Sequence, residues 1–367
     1  MKVLFWAERF LPHVGGVEVF AGHLLPLLRK RYGHEFEVIC CSATATGSDD
    51  SWRGFSVHRL PFHQVLLARD PSAVIRLRQR VDGLMQRFDP DLIHLNTSQP
   101  SLFFLARRTR SPVLFSAHEP VLAKAPNSML GRTLAASDYV LTVSRYLHQE
   151  LVRLCPAIED RSAVVPCAVP IPTTGCNAPP DGPARFLCAG RVVADKGFDV
   201  AIRALHRVIR SGRSAHLSIA GTGPALPQLK ELAVELEIAL WITFLGEISP
   251  ARMPEVLAES TAAIVPSRWP EPQGLLPLEA AQLGRPSIAA RTGGLPEVVL
   301  DGETGLLFTV DAVEELAGRM SDCVDRPNLV SELGERALKR VRRDFSLDGC
   351  AEAHHRAYAR AAGRTHS

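Results

Sequence analysis

Residues 185–191 read Arg-Phe-Leu-Cys-Ala-Gly-Arg, a short apolar run that ends at a glycine and leads into a helical pattern. Such a run is typical of a buried strand in a parallel sheet. Similar runs alternate with helical patterns along both halves of the chain. They lie near 2–7, 36–41, 56–60, 91–95, 112–116, 139–143, 215–220, 241–245, 262–265 and 286–289. This alternation predicts an α/β protein with two Rossmann-like, doubly wound domains.

The chain has 367 residues, more than one hydrophobic core usually serves, which favours two domains. Six prolines fall within residues 166–183 and indicate a linker. We therefore expect a first domain over 1–168, a linker over 169–184, a second domain over 185–345 and a C-terminal helix over 346–367 that packs back on the first domain. Ligands of such sheets bind beyond the carboxyl ends of the strands, so the two domains are expected to face each other across a cleft.

The composition, 46% hydrophobic and 22% charged, is that of a soluble globular protein. No apolar run approaches the roughly 18 residues of a membrane span, and Glu8 and Arg9 end the first apolar run too early for a signal peptide. The eight cysteines show no Cys-x-x-Cys spacing, which indicates reduced thiols in a cytoplasmic protein, not a disulfide scaffold or a zinc site. A net charge of +3 is too small to indicate a nucleic-acid partner.

The most informative motif is Glu-Pro-Gln-Gly-Leu-Leu-Pro-Leu-Glu over residues 271–279. The turn is expected to present Glu271, the amides of Gly274 to Leu276, and Glu279 in the first turn of a helix, all to one space. Helix N-terminal amides bind anions, and carboxylates accept hydrogen bonds from hydroxyls. A nucleotide sugar, with a diphosphate between two hydroxyl-rich groups, fits that set. A pair of surface glutamates, or the carboxylate pair of a glycoside hydrolase, is the alternative.

Two further loops follow predicted strands. Arg191 and Lys196 leave the carboxyl end of the strand at 185–189, where two cations could neutralise a diphosphate; a solvated loop is the alternative. Gly15 and Gly16 open a helix after the first strand and allow close approach of a ligand, although they also suit an ordinary loop. The chain has neither a dinucleotide fingerprint nor a Walker loop in this region.

Other candidates are weaker on their own. His118 follows a strand end, so it is either a substrate contact or a satisfied structural histidine. The turn from Gly221 to Gly223 could support a nucleobase or be an ordinary loop. Asp89 and Asp91 have the spacing of a metal site but precede a strand, at the amino end, and are interpreted as turn residues. No metal is therefore predicted.

Taken in order, these motifs resemble glycosyltransferase family 4, the retaining nucleotide-sugar transferases with the GT-B fold. The resemblance covers nearly the whole chain. It runs through Gly15-Gly16-Val-Glu18, Asp91-Leu-Ile-His94, the His118 loop, Val143-Ser144, Gly190-Arg191, Lys196-Gly197, Gly221-Thr-Gly223 and the run from Glu271 to Glu279.

The resemblance implies roles for the candidate residues. Glu279 is expected to bind the ribose hydroxyls and Glu271 a hydroxyl of the transferred sugar, while His118 contacts the donor sugar near its anomeric centre. The diphosphate is expected to bind Arg191, Lys196 and the amides of Gly16, Leu275 and Leu276. The chain departs from the family at Gln273, where an aromatic residue is common, and in the linker motif at 166–170.

The resemblance also implies a retaining, metal-independent enzyme that needs no cofactor beyond its donor substrate, acting in glycolipid, polysaccharide or glycoconjugate synthesis. The acceptor, a sugar, a lipid-linked sugar or a small molecule, is not legible, nor are the base and the sugar. A GT-B epimerase or phosphorylase, or a non-catalytic nucleotide-sugar binding protein, remains an alternative.

Peripheral contact with the inner face of the membrane is a further expectation. Arg76, Arg80 and Arg87 lie on the polar face of a predicted helix over 72–88. Arg107, Arg108 and Arg110 follow an apolar run. Such basic faces bind anionic lipid, although they are also common on solvated helices.

Overall fold

The computed structural model describes residues 1–13, 15–44, 46–105, 111–121, 125–170 and 182–363. These form two compact units. The first comprises Met1–Cys167 together with the helix that begins at Leu347, and the second comprises Ala168–Ser346. Most of the predicted linker, residues 171–181, lies outside the described residues, as do Arg107, Arg108 and Arg110.

The first unit is built on an eight-stranded sheet with the order β3-β4-β2-β1-β5-β6-β7-β8. Its strands are β1 (Lys2–Trp6), β2 (Glu35–Cys41), β3 (Ser48–Trp52), β4 (Phe55–Leu60), β5 (Leu92–Leu95), β6 (Val113–Ala117), β7 (Tyr139–Thr142) and β8 (Ser162–Val164). Its helices are α1 (Gly16–Tyr32), α2 (Phe62–Ala68), α3 (Pro71–Phe88), α4 (Met129–Ala136) and α5 (Arg145–Leu154). All pairings are parallel except that of β3 with β4.

The second unit has a six-stranded parallel sheet with the order β11-β10-β9-β12-β13-β14. Its strands are β9 (Ala184–Ala189), β10 (Ala215–Ala220), β11 (Ile242–Gly246), β12 (Ala262–Val265), β13 (Ser287–Ala290) and β14 (Gly305–Phe308). Its helices are α6 (Phe198–Arg210), α7 (Leu226–Glu235), α8 (Met253–Ala258), α9 (Leu275–Gln282), α10 (Leu295–Val298), α11 (Val313–Asp325) and α12 (Pro327–Asp344). Buried apolar clusters cover both faces of this sheet.

The structure confirms the predicted fold class, an α/β protein with two Rossmann-like sheets. Each predicted strand corresponds to an observed one, but β3, β8 and β14 were not predicted. The sequence of β3 is Ser-Asp-Asp-Ser-Trp, which lacks the apolar alternation of a strand because β3 is a mostly exposed edge. Strand β8 has only three residues, too few for a clear pattern, whereas the apolar four-residue run of β14 resembles strands that were predicted and was overlooked. No helix of the described chain is long and apolar enough to span a bilayer.

The C-terminal helix α13 (Leu347–Ala361) packs in the first unit, where it contacts α1, β6 and β7. Its Tyr358 is fully buried, and the Tyr358 hydroxyl lies 2.8 Å from Nδ1 of His94. The other ring nitrogen of His94 bonds to Ser116 Oγ at 2.8 Å. Near the helix end, Arg360 donates to the Tyr139 hydroxyl at 2.9 Å. Buried polar bonds therefore fix this helix to the sheet, in addition to apolar packing.

Tyr358→Phe should destabilise the first unit, because it leaves Nδ1 of buried His94 without its partner. An unsatisfied buried polar atom costs about 1–3 kcal/mol, measurable as a shift in the urea unfolding midpoint. Tyr32→Phe is the matched control, since the Tyr32 ring stacks on His355 but its hydroxyl bonds to no described residue. The control should change the unfolding free energy by less than about 0.5 kcal/mol. Equal effects of the two substitutions would contradict this role for the buried hydroxyl.

Candidate active site

An ion pair between Lys196 and Glu271 lies at the centre of the candidate site in the second unit. Lys196 Nζ is 2.5 Å from Glu271 Oε1, and Ser267 Oγ donates to the same oxygen at 2.7 Å. The two charged side chains are only 23% and 12% exposed. Lys196 ends a short 3₁₀ turn after β9, and Glu271 follows β12, the neighbour of β9. The parallel sheet thus brings together two residues that are 75 positions apart.

Arg268 fixes the loop that carries Lys196. Its guanidinium makes two 2.8 Å bonds to the carboxylate of Asp199 and donates to Ala194 O at 2.9 Å. The backbone amide of Arg268 also donates to Asp195 O at 2.9 Å. Hydrogen bonds that Arg268 donates to Asp199 raise the pKa of Arg268 above its ordinary value. Sequence analysis missed Arg268, although its place directly after a predicted strand was a usable signal.

Arg191 follows β9 on a loop that the turn from Gly221 to Gly223 supports. The side chain of Arg191 is exposed and forms no ion pair with any described residue. A Cβ atom on Gly221, whose φ is +131°, would lie 1.9 Å from the carbonyl oxygen of Gly190. Val192 N donates to Thr222 O at 2.9 Å. The backbones of the two loops are therefore in direct contact. This contact is sufficient to account for glycine at positions 221 and 223, with no contact to a nucleobase needed.

Helix α9 presents free amides beside Glu271. Gly274 precedes the helix with φ +98°, a conformation that favours glycine. Within the described chain, no acceptor bonds to the amides of Leu275 and Leu276, and Pro277, the next residue, has no amide. The carbonyl of Glu271 accepts from Gly294 N at 2.7 Å, which ties this loop to the next one. The N-terminus of α9 is thus an anion-binding end held close to the ion pair.

Glu279 does not lie in the first turn of its helix, as the sequence analysis expected. Because α9 begins at Leu275, Glu279 is its fifth residue. It lies on the same face of the helix as Leu275, one turn further along. Side chains of a helix lean toward its N-terminus, so this carboxylate leans toward the free amides. Burial raises the pKa of Glu279 to about 7. None of the described residues donates to it, which marks it as a candidate ligand contact.

Glu279→Gln should stabilise the free protein at high pH. The folded protein keeps the Glu279 proton up to about pH 7, whereas the ordinary pKa is 4.5. The folded state therefore binds more protons between these values, and stability falls as the pH rises through them. We expect the variant to gain about 1–3 kcal/mol of unfolding free energy at pH 8 and under about 1 kcal/mol at pH 5.

The measurement is urea unfolding of the second unit at both pH values. Glu332→Gln is the control, because Glu332 is exposed on α12 and should give no pH-dependent difference. A gain for Glu279→Gln that is absent, or the same at both pH values, would contradict a raised pKa.

The first unit holds the remaining candidates. Gly15 precedes α1 and Gly16 begins it, and no side chain caps that helix. His118 Nε2 lies 2.8 Å from Asn96 Oδ1, and its Nδ1 is 3.7 Å from the thiol of Cys167. Burial, together with the nearby His354, lowers the pKa of His118 to about 3. His118 is therefore a neutral imidazole that is already oriented by two partners, of which sequence analysis identified neither.

The Asp-x-Asp pair has the geometry of a turn. Asp89 ends α3 with φ +48°, and an oxygen of Asp91 accepts from the Lys2 amide at 2.8 Å. Both residues precede β5, at the amino end of the sheet. The interpretation as turn residues therefore agrees with their positions.

Comparison with known proteins places these features in a family. Residues 14–171 match Glycosyltransferase Family 4, and residues 176–340 match Glycosyl transferases group 1. Glycogen synthase of Mycobacterium tuberculosis is 27% identical over 96% of this chain and 93% of its own length. A GDP-mannose-dependent α-(1-6)-phosphatidylinositol monomannoside mannosyltransferase of Mycolicibacterium smegmatis is 26% identical over 90% of this chain and 91% of its own.

Solved structures show the same fold. Sucrose-phosphate synthase of Thermosynechococcus elongatus superposes with a TM-score of 0.81 at 18% identity, covering 99% of this chain and 100% of that one. Anabaena HepE in complex with UDP and glucose gives 0.78 at 18% identity, covering 98% and 99%. These similarities confirm the predicted GT-B fold.

Proposed function

The chain belongs to glycosyltransferase family 4, and from that premise we propose that the second unit binds a nucleoside-diphosphate sugar whose sugar passes, with retention of configuration, to an acceptor hydroxyl. One observation carries this proposal: Lys196 pairs with Glu271, and the loop from Glu271 leads into α9, whose first two amides bond to no acceptor in the described chain. A cation, an anion-binding helix end and a half-buried carboxylate are the groups that a sugar diphosphate requires.

The diphosphate contacts are Arg191, Lys196 and the helix amides. An ammonium has three N–H donors, and Lys196 uses one for Glu271, which leaves two for phosphate oxygens. Arg191 is exposed and has its planar donors free for a bidentate contact. These positive groups replace a divalent metal, so the enzyme is proposed to be metal-independent.

The two glutamates bind hydroxyls on either side of the diphosphate. Glu271 accepts from Lys196 and Ser267 through Oε1, and its Oε2 accepts from no described residue. We assign Oε2 to a hydroxyl of the transferred sugar and the half-buried carboxylate of Glu279 to the ribose hydroxyls. An ionised carboxylate accepts two such bonds, so nucleotide affinity should rise as the pH passes about 7, where Glu279 ionises in the free protein.

The chemistry follows from charge that develops as the donor bond breaks. The bond between the anomeric carbon and the diphosphate oxygen cleaves, and Arg191, Lys196 and the amides stabilise the negative charge. The acceptor oxygen attacks from the same face, and its proton passes to the departing phosphate. Glu271 is a positioning residue in this scheme. The low pKa of His118 leaves its imidazole neutral, so His118 is not assigned as an acid.

Arg191→Ala should slow turnover about 100-fold, since one preorganised charge contact contributes on the order of 3 kcal/mol. The readout is release of nucleoside diphosphate from UDP-glucose, GDP-mannose and ADP-glucose, without added metal. Arg185→Ala is the matched control, because Arg185 is an exposed arginine near the amino end of the same strand. A folded Arg191→Ala variant with the wild-type rate would contradict the assignment, as would an equal loss in the control.

We also propose where the enzyme acts and what kind of acceptor it meets. The names of two relatives given above refer to glycogen and to phosphatidylinositol monomannoside. We propose a cytoplasmic enzyme that docks on the inner face of the membrane through α3, where Arg76 and Arg87 are exposed and Ile75 is 56% exposed. Sedimentation with phosphatidylglycerol vesicles but not phosphatidylcholine vesicles is the expected result. Equal sedimentation, or none, would contradict docking.

A further inference from the structure

Three side chains of different types converge at one edge of the first unit's sheet. The ligand atoms of Glu8, Cys41 and His63 all lie within 4.8 Å of one another, and each residue is half-buried. We propose that Glu8, Cys41 and His63 bind one Zn²⁺ ion, with a fourth position open to solvent. Carboxylate, thiolate and imidazole are the ligands that Zn²⁺ takes in proteins, and three protein ligands with an open position form a recurring type of zinc site.

The fold holds the three residues in place. Glu8 follows β1, Cys41 ends β2 and His63 follows β4, and these three parallel strands are neighbours in the sheet. The amide of Cys41 donates to Glu8 O at 3.0 Å, which fixes the first two ligands relative to each other. Such a site needs no movement of the backbone to form. It also has no local spacing motif, because its ligands come from three separate strand ends.

One of the separations matches the edge of a tetrahedral zinc site. Cys41 Sγ is 3.3 Å from Glu8 Oε1, close to the edge of about 3.5 Å that Zn–S and Zn–O bonds of ordinary length would subtend. Without a metal ion, the Cys41 thiol donates to Glu8 Oε1 and His63 Nε2 contacts the same oxygen. A bound cation would replace these contacts. Binding would displace the thiol proton to solvent and require the neutral imidazole, with its proton on Nδ1.

The other carboxylate oxygen of Glu8 is already oriented. Ser101 Oγ donates to Glu8 Oε2 at 3.1 Å, and Trp6 Nε1 donates to Ser101 Oγ at 3.3 Å. Trp6 and Ser101 are both fully buried. Partners of this kind hold a ligand in position, and their removal typically weakens metal affinity by roughly 10–100-fold. The His63 side chain is 43% exposed, so the open position faces water.

Cobalt substitution tests the site directly. The full chain, stripped of metal with a chelator, is titrated with Co²⁺ and then with Zn²⁺. We expect one equivalent of Co²⁺ to produce a thiolate charge-transfer band and the visible bands of a tetrahedral ion, both bleached by Zn²⁺. His63→Gln and Cys41→Ser should each weaken binding at least about 100-fold, and Ser101→Ala about 10-fold.

The control is Cys155→Ser, which removes another half-buried free thiol of the first unit and should leave the titration unchanged. Zn²⁺ should also raise the melting temperature of the wild type by on the order of 5 °C at a hundred times its dissociation constant, and that of His63→Gln hardly at all. Absence of a thiolate band, or a band that survives in both Cys41→Ser and His63→Gln, would overturn the proposal. Because His63 is half-exposed, its variant should fold even if Cys41→Ser does not.

Discussion

The parallel pairing of β9 with β12 is the constraint on which the candidate site depends. Ala262 and Ala263 pair with Phe186 and Leu187, so the loops that follow these strands leave the sheet at the same edge. One loop carries Lys196 and the other Glu271, and the two side chains meet there as an ion pair. A change in strand order would separate them. The chemistry is therefore a consequence of sheet topology as much as of residue type.

Burial makes it unfavourable to ionise Glu279 in the free protein. The same burial leaves the carboxylate available to hydrogen-bond donors of a ligand. Glu279 has no partner among the described residues, and its pKa of about 7 reflects the free energy of holding a charge there. Hydroxyl donors from a ligand would offset that cost, whereas a hydrogen-bonded pair within the protein would leave nothing for the ligand to satisfy. Arg268, by contrast, is fully engaged and holds the Lys196 loop rigid. These bonds hold the backbone beside Lys196 in one position.

The sequence predicted the fold class because alternating strands and helices are a local pattern. It also predicted which loops carry charge, since Arg191, Lys196 and Glu271 follow predicted strands directly. It could not predict that Lys196 pairs with Glu271, because that contact depends on strand order. The same limit hid the cluster at Glu8, whose three residues follow or end three different strands.

Two local errors have local causes. The edge strand β3 is too polar to show apolar alternation. The first turn of α9 was expected to include Glu279, but the helix begins at Leu275 and has Pro277 in its first turn, where a proline loses no helical hydrogen bond. Glu279 therefore lies in the second turn of α9, not in the first as predicted. Its raised pKa depends on packing around that turn, which no single-sequence pattern reports.

We propose that the second unit recognises a diphosphate through protein cations and amides. Titration calorimetry of uridine, guanosine and adenosine and of their diphosphates, in the presence of EDTA, tests this directly. For one base, we expect the diphosphate to bind at least about 100-fold more tightly than the nucleoside, a difference of roughly 2.7 kcal/mol. Equal affinities, or diphosphate binding that appears only when Mg²⁺ is added, would contradict it.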